Sequence, residues 1–204
     1  MKKQIFYCII GILIIGLGSS ICKLGQVGID PCTAMNNGIA LQIHLTLGIT
    51  MMTVQLILLI FVFFFKKSYI GLGTFINGLF IGYIIDAFTT LLTHFFPAHP
   101  SLALQISCMI MGVLFITLGV SLYFTGDLGL SPYDAVGKIL SERTPFSYSA
   151  CRIFTDAACA ALAIFLHGPI GFGTIIIACF TGPLIQFWNK NFSQPLFEKD
   201  FFCL

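Results

Sequence analysis

The chain repeats itself. Residues 9–34 align with 110–135 at an offset of 101, and eleven of those 26 positions are identical. The matches include Gly11/Gly112, Gly18/Gly119, Ser20/Ser121, Gly25/Gly126, Gly28/Gly129, Pro31/Pro132 and Ala34/Ala135. A second block, 70–85, aligns with 170–185 at an offset of 100, with eight of 16 positions identical. It pairs Gly71/Gly171, Gly73/Gly173, Thr74/Thr174 and Gly82/Gly182. A fold built from two copies must let equivalent elements meet. Duplicated halves broken by Gly and Pro at matching places mark transporter-like membrane folds.

Composition decides the solvent. Charged residues make up 9% of the chain against 57% apolar, and mean hydropathy is +0.98. A soluble domain carries about 25% charged residues, so the surface of this chain is built for lipid. A net charge of +2 gives no footprint for nucleic acid. The eight cysteines form no C-x-x-C pair and lie mostly in apolar runs, as small packing residues do. The 22 phenylalanines are expected to face lipid or fill the core.

The apolar runs predict six spans, near 5–22, 46–65, 70–92, 103–124, 147–166 and 170–188. Two shorter segments, 31–42 and 132–141, follow the Gly/Pro breaks. At about 16 Å each is half the hydrocarbon thickness, so each reads as a half-helix or re-entrant piece buried in protein. The fold class is all-α integral membrane, with three spans per half. Domain limits are 1–100 and 101–188 for the repeats, and 189–204 for a cytoplasmic tail. No soluble domain, linker or sensor module is expected.

With six spans, Lys2, Lys3, Lys66, Lys67, Lys138, Arg143, Lys190 and Lys199 all fall on one side, which the positive-inside rule makes the cytoplasm. Three spans per half then forces the copies to insert in opposite directions, an inverted repeat. The start of the chain also fits a signal peptide, with basic residues, an apolar stretch and Gly18-Ser19-Ser20. Residues 9–22 have an uncleaved counterpart at 110–123, which argues against removal.

Three motifs carry polar chemistry. In Gly25–Thr33 and its copy Gly126-Asp127-Leu128-Gly129-Leu130-Ser131-Pro132-Tyr133-Asp134, glycines break a helix and free its carbonyls. Asp30 and Ser131 then stand where an N-cap belongs, Pro31 and Pro132 at the first helical position, and Asp134 at N3. Loose carbonyls suit cations and helix N-termini suit anions. The carboxylates of Asp30 and Asp134 offset those N-termini, which favours a cationic or zwitterionic solute over an anion. The bland alternative is that these residues only cap half-helices. Arg152 and Asp156 are i,i+4 on the fifth span and share a face; buried ionisable groups in membranes face the interior and are paired. Their counterparts, Met51 and Gln55, are uncharged. The pair is either a substrate or proton site or a structural ion pair. Gly126, Asp127 and Tyr133 complete the candidate substrate-binding set.

The third motif is a stripe of small residues, Gly73, Thr74, Gly78 and Gly82, with its copy Gly173, Thr174, Ala178 and Gly182. Small-xxx-small faces let backbones approach closely, so the stripe is expected to form the seam between the repeats. No Lys follows the glycines, so a phosphate loop does not fit. His44, His94, His99 and His167 sit near outer span ends without a shared helical face. No metal, cofactor or catalytic activity is expected.

The chain resembles the YczE/YyaS/YitT group of bacterial multi-pass membrane proteins, the YczE-like branch above all. The resemblance rests on Leu128-Gly129-x-x-Pro132-Tyr133-Asp134, Arg152-x-x-x-Asp156, Gly171-x-Gly173-Thr174-x-x-x-Ala178-x-x-x-Gly182-Pro183 and Gly71-x-Gly73-Thr74-x-x-Asn77 with Gly82 and Asp86. Cys32-Thr33 replaces the aromatic–Asp pair in the first half. The resemblance implies a plasma-membrane protein and supplies no substrate. The function expected is a small secondary transporter that binds a small polar molecule between the repeats. A non-transporting membrane partner protein, or a substrate-capture subunit of a larger transporter, is the alternative. Partners are the lipid bilayer and an unidentified small molecule, with a homodimer left open.

Overall fold

The computed structural model describes residues 2–199, and all regular structure among them is helical. Among the described residues, six helices are long and apolar enough to cross a membrane. They are α1 (Lys2–Leu24), α3 (Leu47–Phe65), α4 (Leu72–Thr93), α5 (Leu102–Thr125), α7 (Tyr148–Phe165) and the continuous helical run Phe172–Glu198, which begins with α8 (Phe172–Trp188). Two short helices lie between them, α2 (Pro31–Ile43) and α6 (Pro132–Arg143). At 13 and 12 residues they are about 20 and 18 Å long, too short to span. Thr46, Ser101 and Ser147 cap α3, α5 and α7 through side-chain oxygens that accept from the N3 amide, so the span starts are fixed locally. Many large apolar side chains point outward, Phe64 at 78% and Phe172 at 84% exposure among them. Buried side chains include Asn36, Thr117, Ser121 and Asp156. An apolar outside over a partly polar inside is a lipid-facing molecule.

α1 and α5 cross closely and run antiparallel. A Cβ at Gly11 would stand 2.6 Å from the Gly119 carbonyl, and one at Gly18 would stand 2.9 Å from that of Gly112. The same contacts recur from the other side, Gly112 to the Gly18 carbonyl and Gly119 to that of Gly11. Partner numbers fall along α5 as they rise along α1. Lipid tails give little hydrophobic drive for helix pairing, so close backbone packing through small residues holds this seam.

Each broken loop reaches across to the other half. Gly173 N–H donates to the Val27 carbonyl at 2.8 Å, and Gly73 N–H donates to the Leu128 carbonyl at 2.7 Å. Gly28 (φ +91°) and Gly129 (φ +102°) adopt the left-handed region that makes these turns. Thr174 and Thr74 accept from the amides of Gly171 and Gly71 at 3.2 and 3.0 Å, closing the N-termini of α8 and α4. The stripe expected to be the seam is therefore divided. Gly73, Thr74, Gly173 and Thr174 meet the opposite half, and Gly78 lies near both Pro132 and Gln55. Gly82 packs instead on Gly48 and Met51, and Gly182 on Ser149, each inside its own half, while Ala178 is half-buried. A small residue signals close approach but does not name its neighbour; α1 and α5 occupy the position opposite.

α7 serves as a ruler for the short helices. Gly137 faces Tyr148, Asp134 pairs with Arg152, Tyr133 bonds Asp156, Cys32 packs with Cys159, and Gly38 lies against Leu166 and Gly168. α6 and α2 thus lie in series along α7, with their N-termini facing each other near its middle. Basic residues gather at one end. Lys66 pairs with Glu142 at 3.0 Å, Lys138 lies 4.9 Å over the Tyr69 ring, and Arg143 lies 4.6 Å over Phe65. The N-terminal end of α1 joins them, because Gly126 rests on the Gln4 backbone.

The segment expected to be a cytoplasmic tail packs on the helices as far as Lys199. A π-helical turn, Asn189–Ser193, leads into α9 (Gln194–Lys199). Ser193 and Ser121 hydroxyls lie 2.7 Å apart, Asn189 donates to Thr125 at 3.2 Å, and Lys3 donates to the Phe197 carbonyl. Residues 200–204, with Cys203, lie outside the described residues.

Candidate functional site

A cavity of about 80 Å³ lies where the N-termini of α2 and α6 converge. Of its twenty lining residues, eighteen fall into nine repeat-equivalent pairs. They are Ile15/Ile116, Ser19/Val120, Asp30/Ser131, Cys32/Tyr133, Thr33/Asp134, Met51/Arg152, Gln55/Asp156, Asn77/Ile177 and Ile81/Thr181. Only Pro31 and Ile85 lack their counterparts in the lining.

The side chains from the second half form an ionic network. Arg152 lies between Asp134, which its Nη1 bonds directly, and Asp156, whose Oδ2 is 3.4 Å from Nε. The Tyr133 hydroxyl donates to Asp156 Oδ1 at 2.6 Å, and the guanidinium lies 4.7 Å over the Tyr133 ring. Ser131 Oγ donates to Asp134 Oδ2 at 2.7 Å while accepting from the Asp134 amide at 3.1 Å. Asp134 and Asp156 are 7% and 2% exposed. Two acids on one guanidinium, each with a second donor, is a matched set for groups withdrawn from water.

The first half presents the same positions without a cation. Asp30 caps α2, its Oδ1 accepting from the Thr33 amide at 3.0 Å. Gln55 stands where Asp156 stands in the copy, and its Oε1 is buried with no hydrogen-bond partner. Ser19 Oγ is likewise unpartnered. Buried polar atoms without partners cost about 1–3 kcal/mol each, and both residues line the cavity.

Among the residues singled out from sequence, Asp30, Tyr133, Asp134, Arg152 and Asp156 line the one cavity. Gly126 and Asp127 do not. Asp127 is exposed with φ +47°, and it borders a separate surface pocket of about 470 Å³ with Gln4, Asn189 and Glu198. It is a turn residue, four positions short of the α6 N-cap. Ser19, Gln55 and Asn77 line the cavity without having been selected as site residues. Repeat equivalence was the available signal, since Gln55 is the partner of Asp156. Asp86 lies outside the site and caps α3 through Gly48 N–H at 3.0 Å.

The family described as "Family of unknown function (DUF6198)" matches residues 2–190. The chain belongs to this family. It is similar to the "Uncharacterized membrane protein YczE" of Bacillus subtilis (strain 168), at 29% identity over 178 residues, 87% of this chain and 81% of that protein. It is similar to the "Uncharacterized protein YyaS" of the same organism, at 29% identity over 98% of this chain and 96% of that protein. An "Uncharacterized protein" of Haemophilus influenzae is 27% identical over 91% of this chain and 83% of its own length. No solved structure matches. With six apolar helices and a membrane-protein relative, the chain is a multi-pass membrane protein of the YczE/YyaS type.

Proposed function

We propose that the protein is a small secondary transporter of the bacterial plasma membrane, and that the cavity is its substrate site. The carrying observation is the pairing of the lining. Nine equivalent positions from two copies surround one space, the arrangement expected when a pseudo-twofold axis in the membrane plane passes through a binding site. The antiparallel α1 and α5 and the reciprocal Val27–Gly173 and Leu128–Gly73 bonds support reading residues 1–100 and 101–188 as inverted copies. The cavity then lies near the bilayer midplane, and the solute is small and polar, cationic or zwitterionic. The basic end bearing Lys66, Lys138 and Arg143 is cytoplasmic by the positive-inside rule, and both termini lie there. Alternation comes from rocking one repeat against the other about the α1–α5 seam.

Uptake into proteoliposomes from a pooled metabolite mixture tests this. Wild type accumulates at least one solute under an ion gradient, and Asp134→Asn abolishes uptake while the protein remains folded. A wild-type protein that moves nothing, and instead co-purifies with a fixed membrane partner, refutes transport.

A further inference from the structure

We infer that the first-half side of the cavity is a site for a compact monovalent cation, an alkali ion or a small ammonium group, with Asp30 as its counter-ion. This rests on reading the cavity as the substrate site and narrows what that site takes.

Charge makes the argument. Three carboxylates and one guanidinium line the cavity. Arg152 is committed to Asp134 and Asp156, each of which also holds a hydroxyl donor. Asp30 belongs to the other half, where Met51 occupies the position of Arg152. It accepts hydrogen bonds from Thr33 and from its own backbone amide, and no side-chain cation bonds to it, Arg152 acting on it only through space. The same cavity lining offers oxygen atoms: Gln55 Oε1 and Ser19 Oγ, in residues 5% and 1% exposed, both without partners. Carboxylate, amide carbonyl and hydroxyl oxygens are hard ligands suited to hard cations and ammonium donors. An anion would find no free positive side chain. A zwitterion would need a second cation for its carboxylate, and Arg152 is already engaged. A space of 80 Å³ holds a few water-sized bodies, enough for an ion with part of its hydration shell or for a methylammonium-sized molecule, and too little for a large organic cation.

The test uses full-length protein purified in detergent, with N-methyl-D-glucamine as the bulk cation. Thermal stability is titrated with sodium, potassium, ammonium, methylammonium and tetrabutylammonium chlorides. A saturable rise is expected with at least one of the first four and none with tetrabutylammonium. A response to sodium or potassium alone identifies an alkali-ion site, and one to the ammonium ions alone identifies an amine site. Gln55→Leu weakens the response at least tenfold and Gln55→Glu tightens it, a direction that a merely structural role would not give. Asp30→Asn abolishes it, while Glu142→Gln at the surface leaves it unchanged. No response from wild type, or an unchanged response in Gln55→Leu and Gln55→Glu, overturns the site. Saturable binding without flux in liposomes would refute transport and leave the site standing. Flux of a neutral or anionic solute with no cation response would do the reverse.

Discussion

The two halves share a backbone plan and differ in what they place at the centre. At the α1–α5 seam the copies are alike, glycine against glycine from both sides. At the cavity they diverge, with Tyr133, Asp134, Arg152 and Asp156 facing Cys32, Thr33, Met51 and Gln55. The seam must stay symmetric because each repeat supplies half of every close contact. The cavity need not, and a duplicated fold becomes specific by loading one copy with charge. Equivalent substitutions should therefore cost the same at the seam and unequal amounts at the cavity.

The largest difference is expected at Arg152. Arg152→Met installs the first-half residue and strands two buried acids, a loss of about 3–5 kcal/mol, read as a lower midpoint of thermal unfolding. Completing the exchange, with Asp134→Thr and Asp156→Gln added, should restore most of that stability. If the triple variant is no more stable than Arg152→Met, the charge mismatch is not the cause. Tyr133→Phe comes next. It removes the hydroxyl donor to Asp156, a loss of about 1.5–3 kcal/mol, whereas Cys32→Ala at the equivalent position costs less. Matching losses in the two variants would erase the proposed asymmetry.

At the seam, Gly18→Ala and its equivalent Gly119→Ala should each cost about 1–3 kcal/mol, because either Cβ meets opposing backbone within 3 Å. Gly137→Ala, whose Cβ meets only Tyr148 at 3.6 Å, should be neutral or slightly stabilising. Equal behaviour of all three would remove the close approach from the account. The smallest effect belongs to the surface. Hydrogen bonds from Tyr69 and Lys66 hold the Glu142 carboxyl below its ordinary range. A depressed carboxyl contributes fully above the ordinary glutamate range and loses that contribution as pH falls through its folded value. Unfolding midpoints of wild type and Glu142→Gln should therefore differ slightly at neutral pH and converge in acid.

Much of this fold was legible because membranes restrict the choices. Six apolar runs of spanning length and two Gly/Pro breaks fixed the helices, and Pro31 and Pro132 marked the starts of α2 and α6 directly. Glycine faces were legible as places of close approach, yet Gly82 and Gly18 look alike in sequence while one meets its own half and the other the opposite half. Asp127 and Asp134 share a loop motif, and only the turn at Asp127 sends its side chain elsewhere. Ser19 and Gln55 sit in long apolar runs, where nothing local tells which way a single polar side chain points. The docking of residues 189–199 depends on Ser193 finding Ser121, a contact with no local signal.

The central proposition is that the repeats insert in opposite directions. Gln26 and Asp127 test it most directly, since they are equivalent positions, both exposed and both in left-handed turns. Single cysteines at each, in a background lacking native cysteines, are labelled with an impermeant maleimide in sealed membranes of known orientation. The account predicts labelling of Cys at 26 from the outside and at 127 only from the cytoplasmic side; labelling of both from one side would contradict it.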